Sequence, residues 1–181
     1  MSDRVSDRSL AERLRAVITD VPDFPREGVL FKDLTTLFGH GYVFHAAVDA
    51  LAAAHSGQQI DQIVGVESRG FVVGGALAYA LQTGFVPVRK QGKLPRRTLS
   101  VSYALEYGEG VLEIHADAIV AGQRILVVDD LLATGGTAAA TVSLVEQLGG
   151  QVVGIAFLVE LEALGGAKLL GDRPHVSLIR F

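Results

Sequence analysis

Ile125-Leu126-Val127-Val128-Asp129-Asp130-Leu131-Leu132-Ala133-Thr134-Gly135-Gly136-Thr137 reads as a strand that runs into two acids and then into a turn of small residues. Four apolar residues in succession, with β-branching at Ile125, Val127 and Val128, suit a strand covered on both faces, as in a parallel sheet. Beyond the turn, Val142, Leu144, Val145 and Leu148 supply the buried side of a helix over about 137–148. A buried strand feeding a helix is half of a βαβ unit, so the fold class is expected to be α/β.

The rest of the chain repeats this alternation. Short apolar runs at Ile63-Val66, Phe85-Val88 and Val152-Leu158 are separated by helical stretches, one at about 70–82, and His175-Val176-Ser177-Leu178-Ile179 is a closing strand candidate. Between Gln91 and Asp117 the strand-like pieces Thr98-Tyr103 and Val111-His115, joined by glycine-containing turns, predict an antiparallel excursion or flap. Phe44, Ala47, Val48 and Leu51 are spaced for an amphipathic helix over about 41–55. Ser9 followed by Glu12 fits a capping box, and Leu10, Leu14, Val17 and Ile18 share a face, so a first helix should end near Asp20. Two prolines and a glycine in Val21-Pro22-Asp23-Phe24-Pro25-Arg26-Glu27-Gly28 predict an irregular segment with buried anchors before Val29-Leu30-Phe31. Residues 1–181 are expected to form one domain, with no stretch suited to a linker.

Composition narrows the function. Lys plus Arg is 16 against 20 Asp plus Glu, a formal charge of −4 with no basic block, which disfavours a nucleic-acid partner. Cysteine is absent, excluding disulfides, a thiolate nucleophile and Cys-based zinc sites. His40, His45, His55, His115 and His175 show no i, i+4 pairing that would suit zinc. No apolar run is long enough to span a membrane and Met1–Ser9 lacks the core of a signal peptide, so a cytoplasmic protein is expected.

Ligands of open parallel sheets sit at the carboxyl ends of the strands. After Val128, the turn Ala133, Thr134, Gly135, Gly136, Thr137 combines close backbone approach, two hydroxyls and a helix start, a cradle for a phosphate monoester. It lacks the Gly-Lys-Ser/Thr ending of a Walker A loop, and Gly108-Glu109-Gly110 lacks the third glycine of a dinucleotide fingerprint. Asp129 and Asp130 would repel polyphosphate but accept hydrogen bonds from vicinal hydroxyls, so a sugar phosphate is the consistent ligand. After Val66, Glu67-Ser68-Arg69-Gly70-Phe71 places the planar cation of Arg69 at a helix start aimed at the same crevice, with Gly74 and Gly75 allowing that helix to pack closely.

The thirteen-residue stretch resembles the phosphoribosyl pyrophosphate (PRPP) signature of the type I phosphoribosyltransferases. Four further segments resemble the members of that family that use adenine. Pro22-Asp23-Phe24-Pro25 with Gly28–Asp33 resembles the hood over the base. Glu67–Phe71 resembles the pyrophosphate-side loop. Arg89–Pro95 with Ser102–Gly108 resembles the flap, and Leu158-Val159-Glu160-Leu161 the strand whose Leu161 packs on the base.

The resemblance implies a mainly parallel sheet flanked by helices, an N-terminal helix and hood over about 1–35 and an antiparallel flap over about 90–117. It implies transfer of 5-phosphoribosyl from PRPP to adenine, giving AMP and pyrophosphate, in a homodimer with Mg²⁺ carried by PRPP and no direct protein ligand. PRPP would meet Asp129, Asp130, Ala133, Thr134, Gly135, Gly136, Thr137, Arg69, Lys90 and Lys93. Adenine would meet Leu30, Phe31, Lys32 and Leu161. Glu106 and Arg69 are the expected catalytic residues, and Tyr107 rides on the flap, with Gly92, Gly108 and Gly110 as its pivots. Lys32 stands where arginine is common in the family. Another purine base, or a PRPP-sensing module without catalysis, is the alternative.

Overall fold

The computed structural model describes residues 9–104 and 109–181. Its sheet has eight strands: β3 (Gln62–Val66), β4 (Gly84–Lys90), β5 (Thr98–Ala104), β6 (Glu109–His115), β7 (Arg124–Val128), β8 (Leu131–Leu132), β9 (Gln151–Glu160) and β10 (His175–Arg180). The order is β10-β9-β7-β3-β4-β6-β5, with β8 alongside β9. The run from β10 to β4 is parallel, and β4, β6 and β5 continue it as the expected antiparallel excursion.

Alternating residues of the central strands serve two cores. Leu126 and Val128 of β7 pack with α1 (Leu10–Val17), α3 (Gly41–Ala54) and α4 (Arg69–Leu81), whereas Ile125 and Val127 pack with α5 (Gly136–Gln147) on the opposite face. Both faces are therefore apolar, which explains the uninterrupted hydrophobic run at 125–128. The connection from β3 leads through α4 to β4, while that from β7 leads through α5 to β9 on the other side. The winding reverses between β3 and β7, and a crevice opens at their carboxyl ends.

The amino-terminal region departs from two expectations. The Ser9–Glu12 capping box forms, with Ser9 N donating to Glu12 Oε2 at 2.8 Å, but α1 stops at Val17 rather than near Asp20. Ile18 turns extended because Thr19–Val21 (β1) pairs antiparallel with Phe31–Asp33 (β2). Nor is the loop between these strands pinned by buried anchors, since Phe24 and Leu30 are about half exposed at 50% and 53%. The short helix α2 (Thr35–Gly39) then leads into α3. Among the described residues no helix is long and apolar enough to cross a membrane.

Candidate active site

Two helix starts and two strand ends converge on a cavity of about 880 Å³, walled by Phe31 of β2, Glu67, Ser68 and Arg69 after β3, Lys90 at the end of β4, and Asp129, Asp130 and Thr137 around β7 and α5. The chain reaches this crevice after β7 by a kink: Asp130 O accepts from both Leu158 N and Val159 N, each at 3.1 Å, which turns the strand out of line into β8. Asp130 N–H donates to Asp129 Oδ1 at 2.9 Å, which ties the Asp129 carboxylate to the Asp130 main chain.

The acidic pair is electrostatically unfavourable in the free protein. Burial pushes the Asp129 carboxyl well above the ordinary carboxylate range, and the charge of Asp130 adds to the rise. Burial also raises Asp130, against the opposing pull of Arg69, whose Nε lies 2.7 Å from Asp130 Oδ2. That oxygen is buried, with the Arg69 cation as its close neighbour. Gly70 explains how α4 starts so close, because a Cβ there would stand 2.7 Å from Asp129 Oδ1.

Arg69 also lies 5.4 Å from the centroid of the Phe31 ring, and Phe31 meets Phe24 edge to face at 5.1 Å. Ser68, immediately before α4, holds φ 74°, a strained conformation for a residue other than glycine. No side chain caps α4 or α5, so both present unpaired N–H groups and the positive ends of their dipoles, on the side where anions bind.

The turn before α5 forms a second recess of about 70 Å³ lined by Ala133, Thr134, Gly135 and Thr137, sharing Asp129, Leu131 and Thr137 with the large cavity. Its shape depends on Gly135, which has φ 84° and would place a Cβ 2.3 Å from Gly166 O. Gly166 in turn would place one 2.2 Å from Ala133 O, so the two backbones interlock. Gly136 is the first residue of α5.

Arg69, Lys90, Asp129, Asp130, Thr137 and Phe31 share one cavity, Phe31 and Lys90 having been expected there only from the family resemblance. Lys93, Leu30, Lys32 and Leu161 do not stand on its wall. Lys93 sits in the exposed turn after β4, its carbonyl accepting from Arg89 Nη1 at 3.1 Å, and Lys32 bends back to Asp20 at 2.7 Å. Leu161 is partly buried against the core. Glu106, Tyr107 and Gly108 lie outside the described residues. Gly110 is not a pivot but a ladder residue paired with Tyr103, and Gly75 meets no neighbour that would require a glycine. Gly74 does, since a Cβ there would stand 2.7 Å from the ring of Phe85.

Residue typing missed three participants. Tyr103 and Gln91 line the cavity through β5 and the turn after β4. Glu67 accepts from Lys90 N at 3.1 Å and lies 3.4 Å from Arg89 Nε and 4.0 Å from Lys90 Nζ, so it holds the cationic end of β4 in place. Its acidity beside Arg69 was the available signal, but its targets lie more than twenty residues away.

A site with cations and open helix starts facing paired carboxylates is suited to a ligand that carries both phosphate and vicinal hydroxyls. Comparison with known proteins is consistent with that chemistry. The phosphoribosyl transferase domain matches residues 41–173. The chain is 59% identical over 157 residues, 87% of its length and 88% of the relative's, to an adenine phosphoribosyltransferase of Cereibacter sphaeroides. A crystal structure of adenine phosphoribosyltransferase from Thermoanaerobacter pseudethanolicus superposes with a TM-score of 0.92 at 50% identity, covering 96% of this chain and all (100%) of the other. The Saccharomyces cerevisiae adenine phosphoribosyltransferase, complexed with an imino-altritol bisphosphate and adenine, gives 0.89 at 43% identity, over 94% and 98% of the two chains.

Proposed function

We infer the reaction from the family, for the chain belongs to the phosphoribosyl transferases. Its activity is that of an adenine phosphoribosyltransferase, a pentosyltransferase. The finer reading is that PRPP is the donor and that AMP and pyrophosphate are the products. One observation carries it: Asp129 and Asp130, adjacent and inward-facing, stand between the uncapped start of α5 and the cations Arg69 and Lys90.

In this reading the 5-phosphate enters the recess at Ala133, Thr134, Gly135, Gly136 and Thr137, where α5 offers free N–H groups. The ribose hydroxyls donate to Asp129 and Asp130. Arg69, Lys90 and the nearby Lys93 face the pyrophosphate, whose charge grows as its bond to C1 breaks. Phe31 on the cavity wall holds the base so that N9 forms the new bond to C1, with Leu30, Leu161 and the main chain at Lys32 as the further base contacts that the family resemblance implies. Glu106 would protonate or hydrogen-bond N7 as N9 attacks, and the flap segment with Tyr107 would serve to exclude water, which would otherwise capture C1.

Mg²⁺ fits a site that offers hard oxygens, the carboxylates of Asp129 and Asp130 on the cavity wall. Mg²⁺ keeps several waters and prefers phosphate oxygens, so it would be carried on PRPP, with Asp129 and Asp130 holding it through its waters. Bound there, Mg²⁺ would neutralise charge on the leaving pyrophosphate. The reading extends to a cytoplasmic homodimer, with the exposed Val72 and Tyr79 of α4 as an apolar face suited to a second copy; light scattering measures that state.

The test is an assay of purified protein with Mg²⁺ and PRPP against adenine, hypoxanthine, guanine and xanthine, following nucleotide and pyrophosphate. AMP from adenine alone is expected. Turnover of another base would overturn the adenine assignment, and PRPP binding without turnover would make the chain a sensor.

A further inference from the structure

Phe181 occupies a position that the reaction chemistry does not explain. Two cations lie over its ring: Lys32 Nζ is 4.2 Å from the ring centroid and the Arg15 guanidinium 4.7 Å. Lys32 belongs to β2 of the hood and Arg15 to the last turn of α1, where Arg15 Nη2 also donates to Arg180 O at 2.6 Å. Lys32 is further tied to Asp20 of β1. The ring therefore joins both strands of the hood and the first helix to the edge strand β10.

The main chain of Phe181 makes a second connection. Its N–H donates to Glu160 O and its carbonyl accepts from Glu162 N, both at 2.9 Å. These bonds fall on either side of Leu161. Side chains alternate along a strand, so with Lys32 drawn back onto Phe181, Phe31 points the other way into the cavity, where it lies.

We propose that Phe181 is a positioning residue for the base half of the cavity. Its ring, held by Lys32 and Arg15, sets the position of the hood strand that carries Phe31, and its main chain sets the corner that carries Leu161. The adenine role of Phe31 and Leu161 rests on the function inferred above; the mechanical role of Phe181 does not. Cations prefer the face of an aromatic ring to an aliphatic surface, so the latch requires a ring at this position and not merely volume.

The experiment compares the wild-type chain with Phe181→Leu, which keeps apolar bulk, and Phe181→Tyr, which keeps the ring face. Phe181→Leu should raise the KM for adenine about tenfold while the KM for PRPP stays within about twofold, and Phe181→Tyr should restore the wild-type value. A role limited to stability would lower the melting temperature and the active fraction without separating the two KM values. Hydrogen exchange of the ligand-free chain gives a readout independent of turnover: amides of residues 29–33 should exchange faster in Phe181→Leu than in wild type or Phe181→Tyr. A folded Phe181→Leu protein with unchanged hood exchange and unchanged adenine KM overturns the proposal, as does an equal rise in both KM values. A wild-type chain that fails to use adenine, with the exchange difference present, overturns the inferred function and leaves the latch standing.

Discussion

Replacing Asp129 with Asn removes one of two adjacent negative charges and keeps the shape of the side chain, including an Oδ1 that can still accept from Asp130 N–H. In the wild-type chain this carboxyl lies well above its ordinary pKa of 3.8, first because it is buried and second because Asp130 is beside it. An acid whose folded pKa is raised holds its proton more tightly in the folded chain. Its ionisation therefore costs stability progressively as pH climbs from the unfolded value, about 4, through the raised folded one, and the whole cost is present above that. Removing one charge from this adjacent pair is expected to stabilise the neutral amide by about 1–2 kcal/mol at the higher pH. For a chain of this size that gain raises the melting temperature by about 2–8 °C. The same change weakens a hydrogen bond from a sugar hydroxyl to a charged acceptor, worth about 1.5–3 kcal/mol, so kcat/KM for PRPP should fall about ten- to a hundredfold. Thermal melts at about pH 8 and about pH 5, with initial rates at varied PRPP, measure both effects. A variant that melts at or below wild type at the higher pH, or whose advantage is the same at both, would refute the claim that the ionised pair is strained.

Gly135→Ala should lower stability by about 3 kcal/mol or more and abolish saturation by PRPP, because the new Cβ meets the Gly166 carbonyl and the backbone has positive φ; melts and PRPP titrations check it. Glu67→Ala leaves Lys90 N–H without its acceptor and should raise the KM for PRPP about tenfold, while Glu67→Gln restores most of it in the same steady-state assay. Ser9→Ala removes the side-chain half of the capping box and should cost about 1 kcal/mol in urea denaturation with unchanged kinetics.

What the sequence made legible was whatever depends on neighbours along the chain. The run at 125–128 had to be a central strand because both of its faces are covered, and the small-residue turn before α5 declared a backbone that must approach something closely. Arg69 was traceable because it opens a helix directly after another buried strand. The β1–β2 ladder escaped notice because each strand has three residues and nine others lie between, too few for alternation to register. Phe24 and Leu30 looked like core residues because hydrophobicity signals burial, yet both stand about half exposed in the loop between β1 and β2.

The remaining participants are defined by topology. Strand order β9-β7-β3-β4 sets the loop after β7 beside the loop after β3, so Asp130 meets Arg69 across sixty-one residues of chain although neither residue type reveals the other. Gly166 is needed only because the turn at Ala133–Gly135 packs against it, and Phe181 matters only because β10 ends beside the hood. A residue whose partner is brought to it by the winding of the sheet leaves no periodic trace. The chemistry of the cavity was therefore readable from its loops, but the parts that hold its walls became visible only once the strands were in order.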